Sequence, residues 1–421
     1  MLRFTDNVIG QMTLGCNLNC KYCYEGSAIK KDKREMSFAD FKKALDSWIY
    51  QHCVLGDFYN KAIWHFHGGE PLTYDKEKLL ECIKYLKRRQ KFFPGVTFCI
   101  QTNGFLLDDE IVKVFTDEGV SIGVSFDGFN SEERVPREAS EKLIEKLRNF
   151  REKYGTKFGC LTVLSKSNAK NWYGDMQATR DVFSSYGVNL LCAPPDQKNL
   201  MLTVDEQWEY WIKPCLESYL TDHALKERWV NMAVENFITF EVLKTKHSYA
   251  YKSGCFDRVC GHGVNMINIK PDLMIHKCDK YNEEGAFISG RESFSIDKRD
   301  FLGLQQIRDY AKYCKRIFQA ENEADCDLCP YNFLCIGGCQ SYNLSTENKI
   351  SLDTYRCSLY EKVYDFLKLN WMGILERYPV QTLFDIEDIN PSYLRELKLY
   401  GYEPIIDLTN NTFKVQRIVK I

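Results

Sequence analysis

Two patterns of apolar and polar residues alternate along the first half of the chain. Short apolar, β-favouring runs are typical of buried strands. The stretches between them repeat apolar residues every three or four positions, as amphipathic helices do. The runs predict six strands: Val8–Leu14, Ala62–His67, Thr97–Thr102, Ser121–Phe126, Gly159–Leu164 and Val188–Ala193. Six strands that are each followed by a helix predict an α/β fold, a partial (β/α)6 barrel of the TIM type, whose chemistry lies at the strand carboxyl ends.

Five helices are predicted between these strands. The first begins at Ser37, whose hydroxyl is a suitable N-cap, and it places four large apolar side chains on one face: Phe38, Phe41, Leu45 and Trp48. The other four cover residues 76–90, 108–119, 139–153 and 172–186.

The second half of the chain has a different character. Residues 203–252 read as a helical and aromatic segment, residues 255–357 are dense in cysteine, and the end of the chain predicts a hairpin around Asn410–Asn411. The aromatic residues of the helical segment could line a peptide groove, although at helical spacing they more often form a core: Trp208, Tyr210, Trp211, Tyr219, Trp229, Phe237 and Phe240. We therefore divide the chain into residues 1–200, 201–254, 255–370 and 371–421.

Charge and cysteine content narrow the range of possible functions. The 56 Lys and Arg residues nearly balance the 58 Asp and Glu residues, for a net charge of −2, which argues against a nucleic-acid or membrane-surface binder. The first residues lack the pattern of a signal peptide, and no run approaches the roughly 18 apolar residues of a membrane span. We therefore expect a cytoplasmic protein, in which 18 cysteines indicate metal-binding or catalytic chemistry.

The first cysteine cluster directly follows the first predicted strand, as Cys16-Asn-Leu-Asn-Cys20-Lys-Tyr-Cys23-Tyr24. Three thiolates on one tight loop, with no obvious fourth ligand, suit a [4Fe–4S] cluster whose fourth iron stays open. A closed zinc site would need four ligands. A zinc knuckle and chance clustering are the alternatives.

This segment resembles the cysteine motif of radical S-adenosylmethionine (SAM) enzymes. The resemblance implies that Cys16, Cys20 and Cys23 hold the cluster, that SAM chelates its open iron, and that Tyr24 lies against the bound cofactor. It also implies that reductive cleavage of SAM yields a 5′-deoxyadenosyl radical, which abstracts hydrogen from the substrate.

Three further motifs lie where this family places contacts to SAM, each at the end of the next predicted strand. Gly68-Gly69-Glu70 resembles the family segment whose backbone contacts the methionine amino group, a role that needs residues without bulky side chains. The strand-end pair Thr102-Asn103 resembles a polar segment near SAM. Ser125-Phe-Asp127 resembles the segment that contacts the SAM carboxylate and ribose. Each motif alone could be an ordinary turn.

A second cysteine array contains eight residues, enough for two clusters of four thiolates: Cys255, Cys260, Cys278, Cys326, Cys329, Cys335, Cys339 and Cys357. Two four-cysteine zinc sites are the alternative, but these favour repeated CxxC pairs, and only Cys326 and Cys329 have that spacing. The spacing resembles the SPASM domain, an auxiliary-cluster module of some radical SAM enzymes. One departure is Leu273, which stands where that domain has a glycine.

The SPASM resemblance implies a division of these eight ligands and three [4Fe–4S] clusters in all. One auxiliary cluster would use Cys255, Cys260, Cys278 and Cys339, and the other Cys326, Cys329, Cys335 and Cys357. Spacing alone allows other pairings. Both clusters would be fully ligated, which fits electron transfer, with flavodoxin or ferredoxin as external donor. The four segments then become a radical SAM partial barrel, a bridging segment, a SPASM domain and a C-terminal extension.

Seven cysteines stay outside these clusters: Cys53, Cys82, Cys99, Cys160, Cys192, Cys215 and Cys314. We expect most of them to be buried thiols, since free cysteine behaves as a small apolar residue. Cys192 is the best exception because it ends the sixth predicted strand and would face the barrel mouth.

The resemblance also implies a peptide or protein substrate. SPASM enzymes mostly act on ribosomally made precursor peptides or on a sulfatase Cys or Ser that becomes formylglycine. We favour a precursor-peptide maturase that forms an oxidative crosslink or similar modification. A sulfatase-maturing enzyme and an iron–sulfur electron-transfer protein without SAM chemistry are the alternatives. Asp279 matches a catalytic aspartate of the sulfatase-maturing branch, although a carboxylate beside a cluster ligand often only binds the backbone.

Overall fold

The computed structural model describes residues 7–23, 33–54, 62–191, 199–238, 266–276, 294–295, 329–331, 357–377, 380–381, 402–407 and 412–417. Strands and helices alternate through the first half of the chain. They are β1 (Asn7–Thr13), α1 (Phe38–Val54), β2 (Ala62–Gly68), α2 (Lys76–Gln90), β3 (Val96–Thr102), α3 (Asp109–Glu118), β4 (Ser121–Ser125), α4 (Arg137–Tyr154), β5 (Phe158–Leu164), α5 (Ala169–Ala178) and β6 (Phe183–Leu190).

The second half begins with helical turns. These are α6 (Val204–Gln207), a π-helical turn (Trp208–Ile212), α7 (Lys213–Ser218) and α8 (Arg228–Phe237). The remaining elements are β7 (Met266–Ile269), β8 (Met274–His276), β9 (Phe294–Ser295), α9 (Cys357–Arg377), β10 (Val380–Gln381), β11 (Tyr402–Asp407) and β12 (Thr412–Arg417). Among the described residues, no helix is long and apolar enough to cross a membrane.

The first six strands form one parallel sheet in sequence order. The full order of the described sheet is β6-β5-β4-β3-β2-β1-β7-β8-β9, in which β7 pairs parallel to β1, and β8 and β9 are antiparallel. This arrangement confirms the predicted α/β fold with its run of six parallel strands. It also brings the loops after β1, β2, β3 and β4 side by side at one edge, as expected for neighbouring parallel strands.

The core lies between this sheet and its helices. Trp64 and Phe66 alternate along β2 and are fully buried, with ring centroids 5.4 and 5.9 Å from that of Phe41 on α1. Trp48 lies about two turns further along the same face of α1, and its ring centroid is 6.0 Å from that of Trp64. The predicted apolar face of the first helix is therefore confirmed, and so is its N-cap, because the Ser37 hydroxyl accepts a hydrogen bond from the backbone of Asp40 at 3.0 Å.

The predicted helix 172–186 is wrong in its second half. Helix α5 ends at Ala178, and Phe183–Tyr186 belongs to β6. The register shifts at this point, where Phe158 pairs with Phe183 but Gly159 pairs with Ser185. Such a bulge places an extra residue in one strand. Phe183 and Tyr186 can then lie three positions apart on the same buried face, a spacing that imitates a helix.

The aromatic bridging segment forms a core, which settles the alternatives left by its periodicity. Trp211, Tyr219, Trp229 and Phe237 are buried, and Trp208 and Tyr210 pack against the same core. Phe240 lies outside the described residues. The predicted hairpin near the end is also confirmed, since β11 and β12 pair antiparallel on either side of Asn410–Asn411.

The hairpin between β7 and β8 turns without a glycine, as the sequence requires. Leu273 adopts φ +62° in the turn, and its backbone N–H donates to the Lys270 carbonyl at 2.9 Å. Its side chain is only 6% exposed. An L-residue in this conformation is unfavourable, so the buried apolar side chain offsets the strain of the turn.

Candidate active site

The predicted cluster cysteines lie on the loop that leaves the end of β1. Cys16, Cys20 and Cys23 are all partly buried, and none forms a disulfide. Burial raises the pKa of Cys16, while the backbone N–H of Leu18, 3.4 Å from its sulfur, favours the thiolate. Tyr24, predicted to lie against the cofactor, falls outside the described residues. The loop thus presents three thiols, and thiolates are the usual ligands of iron–sulfur clusters.

Gly68 and Gly69 allow β2 to approach the start of this loop closely. A Cβ atom on Gly68 would lie 2.1 Å from the Thr13 carbonyl oxygen, and one on Gly69 would lie 2.4 Å from that of Gly15. The backbone N–H of Gly69 donates to Thr13 at 3.0 Å, and that of Glu70 donates to Gly15 at 2.8 Å. The two glycines therefore allow close contact with the cysteine loop, whereas the sequence predicted close contact only with SAM.

Glu70 is the side chain that joins the strand ends. It is 1% exposed. Its carboxylate accepts hydrogen bonds from the Leu72 N–H at 3.0 Å, from the Thr102 hydroxyl at 2.6 Å and from the Asn103 N–H at 2.7 Å. Burial raises its pKa, and the three donors act in the opposite direction by favouring the ionised form. A single carboxylate thus holds the end of β2 against the end of β3.

The end of β3 reaches the cysteine loop directly. The Asn103 amide donates to the Asn17 side-chain oxygen at 2.7 Å, and Asn17 follows Cys16 in the loop. Thr102 and Asn103, both predicted as site residues, are buried. The structure therefore brings the second and third motifs together with the cluster loop.

The fourth motif contacts the loop through Asp127 rather than Ser125. Ser125 accepts a hydrogen bond from the Gln101 amide at 2.8 Å. The fully buried Asp127 accepts from the Val163 N–H at 2.8 Å and from the hydroxyl of Tyr22. Tyr22 lies inside the cysteine loop, between Cys20 and Cys23. The Asp127 carboxylate is thus committed to protein groups, and the predicted contact of Ser125 and Asp127 with SAM stays a prediction.

Sequence reasoning missed the polar inner face of the sheet. Trp64 and Phe66 pack on α1, so the alternate residues of β2 point to the other side, where His65 Nδ1 lies 2.9 Å from Cys99 Sγ. Gln101, two residues after Cys99 on β3, also belongs to this face. The alternation of aromatic residues with histidine in Ala-Ile-Trp-His-Phe-His could have revealed it.

The described residues do not test the auxiliary clusters. Cys329 is partly buried, and Cys357 is exposed at the start of α9. The other six predicted ligands and Asp279 lie outside the described residues, as do Cys192 and Cys314. Within the part of the chain that the structure describes, no three His, Cys, Asp or Glu side chains could hold one metal ion.

The remaining described cysteines mostly match the prediction of buried thiols. Cys82, Cys160 and Cys215 are buried, and burial raises the pKa of each. Cys99 is partly exposed on the inner face, and the side chain of Cys53 lies outside the described residues.

The fold and the cysteine loop together define a radical SAM domain. Residues 11–172 match the family model of the radical SAM superfamily, and this stretch spans β1 to α5 with all four strand-end motifs. The chain therefore carries a radical SAM domain in its first half, and members of this family bind SAM and a [4Fe–4S] cluster.

Two relatives are similar in sequence. A serine-type anaerobic sulfatase-maturating enzyme of Bacteroides thetaiotaomicron is 30% identical over 170 residues, which is 37% of this chain and 38% of that protein. A cysteine-type anaerobic sulfatase-maturating enzyme of Clostridium perfringens is 20% identical over 371 residues, 84% of this chain and 93% of that protein. The chain thus spans less than half the length of the first relative and most of the second.

Two solved structures share the fold. The native enzyme anSMEcpe with bound AdoMet and the Cp18Cys peptide has a TM-score of 0.67 at 18% identity, covering 87% of this chain and 98% of its own. Streptococcus suis SuiB bound to its precursor peptide SuiA has a TM-score of 0.56 at 14% identity, covering 84% and 76%. At these identities the likeness establishes the fold alone.

Proposed function

We propose that this protein is a radical SAM peptide maturase. The observation that carries the proposal is the buried Glu70 carboxylate, which joins the ends of β2 and β3 beside a loop of three thiols. In this arrangement hydrogen bonds between protein groups fix the strand ends relative to the cysteine loop. A preorganised site of this kind lowers the entropic cost of positioning a reactive group.

The residues present fit a site-differentiated iron–sulfur cluster. Cys16, Cys20 and Cys23 would hold it, and three partly buried thiols leave one iron for SAM. The cluster and SAM would supply a 5′-deoxyadenosyl radical when both are bound and one electron arrives. The chain's own contribution is to orient the loop through Gly69, Glu70 and Asn103 and to exclude water from the buried strand ends.

The second cysteine array would form a SPASM domain with two further [4Fe–4S] clusters. This proposal rests on sequence spacing, with one cluster on Cys255, Cys260, Cys278 and Cys339 and the other on Cys326, Cys329, Cys335 and Cys357. Fully ligated clusters would pass electrons between the active site and a donor such as flavodoxin or ferredoxin. Asp279, next to Cys278, would act as the base that accepts the substrate proton.

A ribosomally made precursor peptide is the substrate that we favour. The likeness to SuiB, whose structure holds the precursor peptide SuiA, supports this choice at the level of the fold. Hydrogen abstraction from a peptide residue, followed by loss of one electron, would give an oxidative crosslink or a similar modification.

Oxidation of a sulfatase Cys or Ser to formylglycine is the second candidate. It is favoured by the match to 93% of the length of the cysteine-type sulfatase-maturating enzyme. The two candidates share the radical step and differ in the peptide that is bound and in the product that is formed.

A comparison of two peptides in separate reactions tests the proposal. Anaerobically reconstituted protein is incubated with SAM, dithionite and either a short peptide encoded beside this gene or a sulfatase-derived Cys peptide, and products are read by mass spectrometry. A maturase for precursor peptides modifies the first peptide with loss of hydrogen and forms 5′-deoxyadenosine in step with product. Modification of the sulfatase peptide alone supports the second candidate, and absence of 5′-deoxyadenosine with both contradicts the enzyme.

A further inference from the structure

A buried arginine lies beside the cysteine loop, although no sequence motif pointed to it. The Arg134 side chain is 10% exposed. Its guanidinium donates a hydrogen bond to the Tyr22 hydroxyl at 3.1 Å and lies 3.7 Å from the Asp127 carboxylate. Glu133, which precedes Arg134, binds the loop as well, because its carbonyl accepts a hydrogen bond from the backbone N–H of Lys21 at 2.8 Å.

The three side chains form a closed network. Asp127 accepts from Tyr22 with one carboxylate oxygen and from the Val163 N–H with the other, at 2.8 Å. A buried ion pair is tolerated only where hydrogen bonds satisfy its remaining polar atoms, and both oxygens of the Asp127 carboxylate have such donors. The guanidinium is therefore held in one place and stays protonated at every pH of interest.

The charge of Arg134 acts on the cluster loop. The guanidinium is hydrogen-bonded to Tyr22, which stands between the predicted ligands Cys20 and Cys23, so its charge lies against the loop that would hold the cluster. An exposed lysine or arginine acts more weakly, because water and salt screen surface charges.

We propose that Arg134 is a positioning residue that sets the reduction potential of the cluster held by Cys16, Cys20 and Cys23, with Asp127 and Tyr22 fixing its charge beside the loop. This inference rests on the proposed function, because it requires the cluster. The redox step is the gain of one electron by the cluster from a reduced donor, dithionite in the experiment below, and no bond of the protein changes.

The sign of the effect follows from the charges. Reduction makes the cluster more negative, so a fixed positive charge nearby favours the reduced form and raises the potential, whereas the Asp127 carboxylate opposes it. Removal of the two charges should consequently move the potential in opposite directions. A network that only supported the fold would shift both variants the same way or not at all.

The test is an anaerobic redox titration of reconstituted protein, followed by electron paramagnetic resonance of the signal that changes when SAM is added. Arg134→Gln should shift the reduction equilibrium toward the oxidised cluster about tenfold, a midpoint about 59 mV lower for a one-electron couple. Asp127→Asn should raise the midpoint. Arg134→Lys should retain most of the wild-type value, and Arg148→Gln, which removes an exposed arginine of α4 that is paired with Asp181, should leave it unchanged.

The iron content of each variant separates a lost cluster from a shifted potential. If Arg134→Gln does not retain iron, Asp127→Asn still decides the matter, because the inference requires a raised midpoint in that variant. Unchanged midpoints in all variants that retain the cluster would overturn the inference, as would shifts of the same sign. The proposed function fails separately, if the wild-type protein itself binds no cluster that responds to SAM.

Discussion

Replacement of Glu70 by alanine should be among the most damaging single changes in the radical SAM domain. The carboxylate is 1% exposed and accepts three hydrogen bonds, from Leu72, Thr102 and Asn103. In the alanine variant those three donors stay buried without an acceptor. Each buried donor left unsatisfied costs about 1–3 kcal/mol.

The three costs do not simply add, because the donors share one acceptor and lie close together. Burial of the charged carboxylate also lowers the stability of the wild-type protein, as the raised pKa of Glu70 indicates. We therefore expect Glu70→Ala to lower the free energy of unfolding by about 3–5 kcal/mol, the lower half of what three independent unsatisfied donors would cost. Glu70→Gln keeps one acceptor oxygen and should lose less.

Urea denaturation of the metal-free protein under reducing conditions, followed by circular dichroism, measures this loss without dependence on the cofactor. Glu141→Ala is the matched control, since this exposed glutamate pairs with Arg137 at the surface and should cost less than about 1 kcal/mol. A Glu70→Ala variant within 1 kcal/mol of wild type would refute the claim that this carboxylate joins the strand ends.

Three further predictions concern other residues. The buried Glu227 accepts backbone hydrogen bonds at the start of α8, and burial raises its pKa from about 4.5 to about 7. The native protein then binds this proton more tightly than the unfolded chain, so the free energy of unfolding should fall by on the order of 3 kcal/mol as pH rises from about 4.5 to 7. Glu227→Gln should remove this pH dependence from urea-denaturation profiles, and a profile that matches the wild type would contradict the assignment. Leu273→Gly relieves a turn strain of about 1–2 kcal/mol but removes a buried leucine worth about 2–5 kcal/mol, so the variant should lower the melting temperature; a higher value would show that the strain dominates. Asp279→Asn should preserve SAM cleavage and abolish peptide product in mass spectrometry, and intact product yield would remove this residue from the mechanism.

The alternation of apolar runs and amphipathic stretches was sufficient to predict the parallel sheet. Strands β1 to β5 lie within one or two residues of their predicted limits, because a glycine or polar residue stands at the end of each apolar run or directly after it. The exception was β6, where the bulge beside Gly159 gives Phe183 and Tyr186 a helical spacing. A pattern in one strand cannot reveal an irregularity that depends on its partner.

Some residues of the candidate site were predicted from the sequence, and others were missed. Glu70, Thr102 and Asn103 were predicted and lie together. Arg134 was missed because it meets Tyr22 only in three dimensions, 112 residues apart in the chain. Gly68 and Gly69 were predicted for closeness to SAM, whereas their tightest contacts are with the backbone of Thr13 and Gly15. Their substitution should consequently disturb the cysteine loop even before SAM binds.

Release of 5′-deoxyadenosine from SAM is the most direct test of the central claim, that this chain is a radical SAM enzyme with its cluster on the loop after β1. Protein purified and reconstituted without oxygen, then reduced with dithionite, should convert SAM to 5′-deoxyadenosine and methionine in equal amounts. A variant with Cys16, Cys20 and Cys23 all changed to alanine should form neither. Equal product from wild type and the triple variant, or none from a wild-type protein that holds its iron, would contradict the account.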